Sequence, residues 1–171
     1  MRFITVIFLF CSVTFANELT NFSTLNGNFT QNVTNSNNST IKYSGEVYIK
    51  GNNILWKYKQ PIEKNVFIKD SFVIVDEPEI EQAIFTSVSS ELNLINMLNK
   101  AKKVSNLNYE VEFNNITYKI ALKNDALNKI EYTDQMDNKI EILFESMKKD
   151  KGIEDKTFDF KPPEYYDIIR K

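Results

Sequence analysis

The side chains able to do chemistry in this sequence are few and of limited type. It contains no histidine, and its one cysteine is Cys11. Glu77, Glu79 and Glu81 alternate around Pro78 and Ile80. On a strand they would share one face, as the carboxylate pair of a glycoside hydrolase does. The same alternation also suits a solvated edge strand whose charges discourage sheet-to-sheet pairing. Without histidine, and with Cys11 expected to be removed before the protein works, thiol catalysis, disulfides and the usual zinc sites are excluded. The sequence therefore reads as that of a protein that is not an enzyme and has no cofactor or metal.

Cys11 lies in an N-terminal export signal. Arg2 supplies a positive charge, Phe3 to Phe15 form a mainly apolar run, and Thr14 and Ala16 occupy the −3 and −1 places of a cleavage site before Asn17-Glu18. The run is shorter than the roughly twenty apolar residues that span a bilayer. Phe10 precedes Cys11, where a lipidation signal would place a small residue. Residues 1–16 are thus expected to be a cleaved signal peptide, and residues 17–171 a single exported domain. Loss of the one positive charge of Arg2 takes the formal charge from −2 to −3. No basic block is present, so nucleic acid is not an expected partner.

Hydrophobic period supplies the elements. Leu19, Phe22 and Leu25 recur every third place, which suits a short amphipathic helix over 17–25. Beyond Gly27 the period becomes two. Phe29, Gln31 and Val33 alternate with polar residues, and so do Ile41, Tyr43, Gly45, Val47 and Ile49. After the Gly51-Asn52-Asn53 turn, Ile54, Trp56 and Tyr58 complete a hairpin that ends at Pro61. Strands are expected at Val66–Ile68, Phe72–Val75, Ile80–Ser87, Leu107–Phe113, Ile116–Leu122, Ile130–Tyr132 and Ile140–Phe144, with a possible edge strand around Phe158 and Phe160. Ser89 or Ser90 can cap a second helix that carries Leu92, Ile95 and Leu98 on one face, with Leu94 and Met97 beside them.

Strands joined by short polar turns imply an antiparallel meander. One face of it is apolar and aromatic: Phe29, Tyr43, Val47, Ile49, Ile54, Trp56 and Tyr58 from the first half, and Tyr109, Val111, Phe113, Tyr118, Ile120, Ile130, Tyr132, Ile140 and Ile142 from the second. Two arrangements satisfy this pattern. The sheet can curl on itself with the helices filling its middle as a solid core, or the cover can be incomplete and leave a gap for an apolar ligand.

The stretch from Phe29 to Gln82 resembles the LolA family of periplasmic lipoprotein carriers. The matching residues are Phe29, Gln31, Gly45, Tyr48, Ile49, Lys50, Trp56, Pro61, Pro78, Glu81 and Gln82. The FDFKPP of Phe158–Pro163 is similar to the family's closing motif. The resemblance implies a mainly β fold, an unclosed antiparallel β-barrel with a helical lid over an apolar cavity. Phe29, Tyr43, Val47, Ile49, Ile54, Trp56 and Tyr58 would then line an acyl-chain cavity, and Leu19, Phe22, Leu25, Leu92, Ile95 and Leu98 would belong to the lid. It also implies the partners: acylated lipoproteins, an inner-membrane lipoprotein-releasing ABC transporter, and an outer-membrane acceptor where one exists, served by a monomeric periplasmic carrier. A lipid-binding sensor or scaffold of the same half-barrel type would carry the same pattern. Two departures stand out. Gly51 occupies the place of a family arginine that hydrogen-bonds the lid helices, and Asp76-Glu77-Pro78 replaces an aromatic-Asp/Asn-Pro run.

Overall fold

A computed structural model describes residues 18–87 and 94–171. The strands are β1 (Thr24–Thr34), β2 (Thr40–Lys50), β3 (Asn53–Gln60), β4 (Lys64–Lys69), β5 (Phe72–Glu77), β6 (Gln82–Ser87), β7 (Lys102–Ser105), β8 (Asn108–Phe113), β9 (Ile116–Lys123), β10 (Ala126–Thr133), β11 (Lys139–Lys149) and β12 (Asp167–Arg170). Among the described residues one α-helix, α1, covers Leu94–Lys100. Among the described residues the strands form one sheet in the order β12-β6-β5-β4-β3-β2-β1-β11-β10-β9-β8-β7. All neighbours are antiparallel except β12, which runs parallel to β6. The edge strands β7 and β12 do not pair with each other, so the barrel is unclosed.

The antiparallel meander follows from the turns. Asn38, Asp70, Asn114, Asn115, Asn124, Asp125 and Asp137 all adopt positive φ between strands, where short Asn and Asp side chains are tolerated. In the β10–β11 turn the Asp134 carboxylate accepts from the backbone N–H of Met136 and Asn138, each at 2.9 Å.

The register puts the expected apolar residues on one face. Val47 opposes Trp56, Ile49 opposes Ile54, Ile142 opposes Ile130, Ile140 opposes Tyr132, Ile120 opposes Tyr109, and Tyr118 opposes Val111. Phe29 joins the two halves, pairing with Gly45 of β2 and Phe144 of β11. Its ring makes edge-on contacts with Trp56 and Tyr58, both with centroids at 5.0 Å.

Gly45 is required there. A Cβ on it would lie 2.0 Å from the Lys57 carbonyl oxygen, where the β2–β3 register shifts between Ser44 and Gly45. The obstacle is backbone and cannot rotate away, so Gly45→Ala should cost at least about 2 kcal/mol. A urea midpoint unchanged in the variant would contradict this close approach.

Four expectations need correction. The period-three run at 17–25 is not one helix: a single 3-10 turn covers Glu18–Thr20, and β1 begins at Thr24. Leu25 is therefore a strand residue, fully buried opposite Ile49, rather than part of a helix. Glu77, Glu79 and Glu81 do not lie along one strand. Pro78, with no N–H for a ladder, opens a 3-10 turn over Pro78–Ile80, and Glu81 closes it at φ 53°. β6 accordingly starts at Gln82, not Ile80. The tail strand is Asp167–Arg170 rather than Phe158–Phe160.

Phe158 and Phe160 instead cover part of the outer face. Phe160 stacks on Phe67 of β4 and Phe85 of β6, with centroids at 5.4 and 6.4 Å. Phe158 is buried, as is Leu55, which shares with Phe67 the outer side of the β3–β4 pair. The sheet thus has a second, smaller apolar layer on its outer face. β7 is a further strand beyond those expected; its residues are all exposed, and it follows α1 directly in the chain.

Candidate functional site

The inner face of the curved sheet is the candidate site. Phe29, Val47, Ile49 and Ile54 are buried in its floor, whereas Tyr43, Trp56 and Tyr58 are half-buried. These seven expected wall residues lie on one continuous face of β1, β2 and β3. Ile120, Ile130, Ile142, Phe144, Tyr118 and Tyr132 continue it across the other half. Sequence reading left out Ile68 and Phe144 as wall residues, although both follow the alternation of their strands.

α1 lies over this face through Leu94 and Leu98, four residues apart and so on one side of the helix. Leu98 is fully buried and Leu94 nearly so, with Ile95 and Met97 packed at the margin. The buried stripe therefore centres on Leu94–Leu98, one step from the expected Ile95–Leu98 face. Leu92 and the capping Ser89 and Ser90 lie outside the described residues. The 3-10 turn adds Leu19 to the same cluster, with Phe22 beside it. Thr20 Oγ1 donates to Asn99 Oδ1 at 2.6 Å and ties this turn to α1. The turn is held to the sheet from below, where the Asp150 carboxylate accepts from the backbone N–H and hydroxyl of Ser23 at 2.7 and 2.8 Å.

Between α1 and the sheet lies an apolar cavity of about 200 Å³, bounded by Trp56, Ile68, Leu94, Met97, Phe113, Tyr118, Ile130, Tyr132 and Ile142. Pockets for drug-sized ligands run from about 300 to 1,000 Å³, so this arrangement of α1 is too close to the sheet for a bulky guest. Gly51 is distant in kind from the latch that the family resemblance implied. It sits at φ +54° in the β2–β3 turn with open space where a side chain would begin.

One end of the face is phenolic. Tyr43 and Tyr58 meet edge-on at 5.9 Å, and Tyr118 and Tyr132 are tilted against each other at 4.7 Å. Burial, then the neighbouring Tyr132 and Tyr43, drive the Tyr58 hydroxyl well above the ordinary phenol range. Burial, followed by Tyr118 and Asp134, pushes Tyr132 up to about 12. Both are therefore neutral hydrogen-bonding groups at any physiological pH and unsuited to act as bases. Among the described residues no group of His, Cys, Asp or Glu side chains is placed to hold a metal ion.

An open antiparallel half-barrel whose inner face is apolar, with a short helix across it, defines a class of proteins built around a covered trough. The chain belongs to the LolA family, described as outer membrane lipoprotein carrier protein LolA, whose model matches residues 20–116. It is 32% identical to an outer-membrane lipoprotein carrier protein of Campylobacter jejuni, covering 96% of both chains. It is 30% identical to one of Wolinella succinogenes, covering 84% of each. In fold it is similar to the crystal structure of a LolA superfamily protein of Nitrosomonas europaea, with a TM-score of 0.51 and 14% identity over 85% of this chain and 94% of that one.

Proposed function

We propose that this protein is a periplasmic carrier that shields the acyl chains of lipoproteins between the inner and outer membranes. The carrying observation is the inner face itself: a continuous apolar surface in an unclosed sheet, covered among the described residues only by α1 and the Glu18–Thr20 turn. In this reading Phe29, Tyr43, Val47, Ile49, Ile54, Trp56 and Tyr58 form the acyl-facing wall. Leu19, Leu94 and Leu98 belong to the cover, and residues 1–16 direct export. The carrier names of the Campylobacter and Wolinella relatives support the same reading.

The energetics fit a shuttle. Each CH₂ withheld from water is worth about 0.8 kcal/mol, so a two- or three-chain anchor meets a barrier of tens of kcal/mol in free solution. Lifting Leu94 and Leu98 off the sheet costs roughly 1.5–3 kcal/mol for each side chain. One acyl chain entering the vacated space more than offsets that, so cargo can open the trough. The net affinity stays below the practical ceiling of about −20 kcal/mol, which leaves release possible. An ABC transporter of the inner membrane would load the carrier, and an outer-membrane acceptor would unload it as a monomer.

The test is lipoprotein release. Purified protein added to spheroplasts of a LolA-depleted strain carrying its own transporter should move labelled outer-membrane lipoproteins into the soluble fraction in one-to-one complexes. Lipoproteins remaining in the membrane, with the added protein folded, would refute the carrier role.

A further inference from the structure

The tyrosine end of the trough carries polar groups that acyl-chain burial does not use. Tyr58 Oη donates to Gln31 Oε1 at 2.8 Å. That bond orients the Gln31 amide so that its NH₂ remains to donate, and no described group accepts from it. The Lys64 ammonium stands over the rings of Tyr58 and Tyr43, 4.6 and 5.4 Å from their centroids. Lys64 opposes Tyr58 in the β3–β4 register, which places it on the inner face. Among the described residues it has no carboxylate partner. Tyr43 adds a phenolic hydroxyl on Gln31's own register line.

This cluster lies one residue outside the cavity wall. Gln31 pairs with Ile142, a wall residue, and Tyr58 is bridged through Phe29 to Trp56, another. A guest whose chains fill the cavity and continue along this face would meet Gln31, Tyr43 and Lys64. The free groups are nearly all donors: an amide NH₂, an ammonium and a phenol. A donor-rich end recognises acceptors and disfavours a group that can only donate. The Lys64 charge is already partly balanced by the two ring faces, so uncharged acceptors suffice and a full anion is not required.

We propose, resting on the acyl-trough reading above, that Gln31, Lys64 and Tyr43 form a head-group subsite that binds the carbonyl oxygens joining acyl chains to their glyceryl head. Gln31 and Lys64 would donate directly to those oxygens. Tyr58 is a positioning residue that sets the amide's orientation. The trough then reads the chemical junction of the lipid as well as its length.

The experiment compares monolaurin with the dodecyl ether of glycerol, which keeps the head and a comparable chain but lacks the carbonyl. Calorimetry is run on the full mature protein, Lys64→Met and Gln31→Leu, each checked for an unaltered thermal transition. The wild-type protein should prefer the ester by on the order of tenfold, the effect of one or two hydrogen bonds. Each variant should lower that preference to about threefold or less. An equal affinity of the wild type for ester and ether, or a preference that both variants retain, overturns the subsite; equal affinity is also what a site built for a phosphate would give. Failure of the wild type to bind either lipid overturns the acyl-trough reading itself and this inference with it.

Discussion

Trp56→Glu is expected to abolish binding of fatty-acyl ligands, weakening it by at least about a hundredfold. The sequence contains one tryptophan, and its indole borders the cavity together with Ile142 and Tyr132. It is half-buried, held edge-on to Phe29 at 5.0 Å and tilted against Phe144 at 6.0 Å. A carboxylate in this place would face acyl carbons, at a cost of several kcal/mol unless it takes up a proton. Because Trp56 is not fully enclosed, an empty protein can hydrate that carboxylate through the cavity and remain folded. Only the loaded state has to bury it. The wild-type indole supplies the companion measurement: its emission should move to the blue when a fatty-acyl analogue binds, and a brominated chain should quench it. A solid core gives the opposite pattern, with emission indifferent to lipid and Trp56→Glu unable to fold.

The fold was legible where the sequence alternates strictly. From Gly45 to Tyr58 the two-residue period, the Gly51 turn and the register all agree, and Val47–Trp56 and Ile49–Ile54 oppose each other as alternation requires. The pattern failed where one residue set served two geometries. Leu19, Phe22 and Leu25 at spacing three fit a helix, but the same spacing arises when a single turn meets a strand that begins at Thr24. Burial is common to both outcomes, so apolar pattern alone could not separate them. The Glu77–Glu81 alternation is broken by Pro78, which cannot donate to a ladder and opens the turn over Pro78–Ile80. The outer layer of Phe67, Phe85 and Phe160 was hidden for another reason. It depends on the tail crossing strands remote in sequence, which no local period records.

The wall of the site was more legible than its cover. Wall residues are fixed by strand parity, which assigns Phe29, Trp56 and Tyr58 to one face without any knowledge of what lies above them. The cover depends on which helical face points down. There the buried pair is Leu94 and Leu98, with Ile95 at the margin. Gly51 illustrates the remaining gap. Its departure from the family pattern was visible, but its left-handed φ and open surroundings were not. Those features make it a turn residue, and the described link between the N-terminal turn and α1 is instead Thr20 to Asn99.

Leu98→Ala should lower the stability of the empty protein while tightening its hold on acyl ligands. Leu98 is fully buried beneath α1, and truncating such a leucine costs about 2–5 kcal/mol, depending on how far the site collapses. In an ordinary core that loss falls on every folded state alike. If α1 is a cover that cargo displaces, the packing of Leu98 exists only in the closed, empty state. The substitution then raises the closed state's free energy and leaves the loaded one nearly unchanged. A ligand that binds the open form has its apparent dissociation constant divided by the open fraction, so enlarging that fraction strengthens binding until the open form dominates. A shift of about 2.7 kcal/mol corresponds to roughly a hundredfold in affinity. Backbone amides of Leu94–Lys100 should exchange faster by a similar factor, with those of β1 and β11 changing much less. The decisive feature is the opposite sign of the two effects: a lower urea midpoint for the empty protein and a smaller dissociation constant for the acyl ligand. A variant that loses stability and affinity together would show that α1 is part of a fixed core, and that whatever admits cargo lies elsewhere in the molecule.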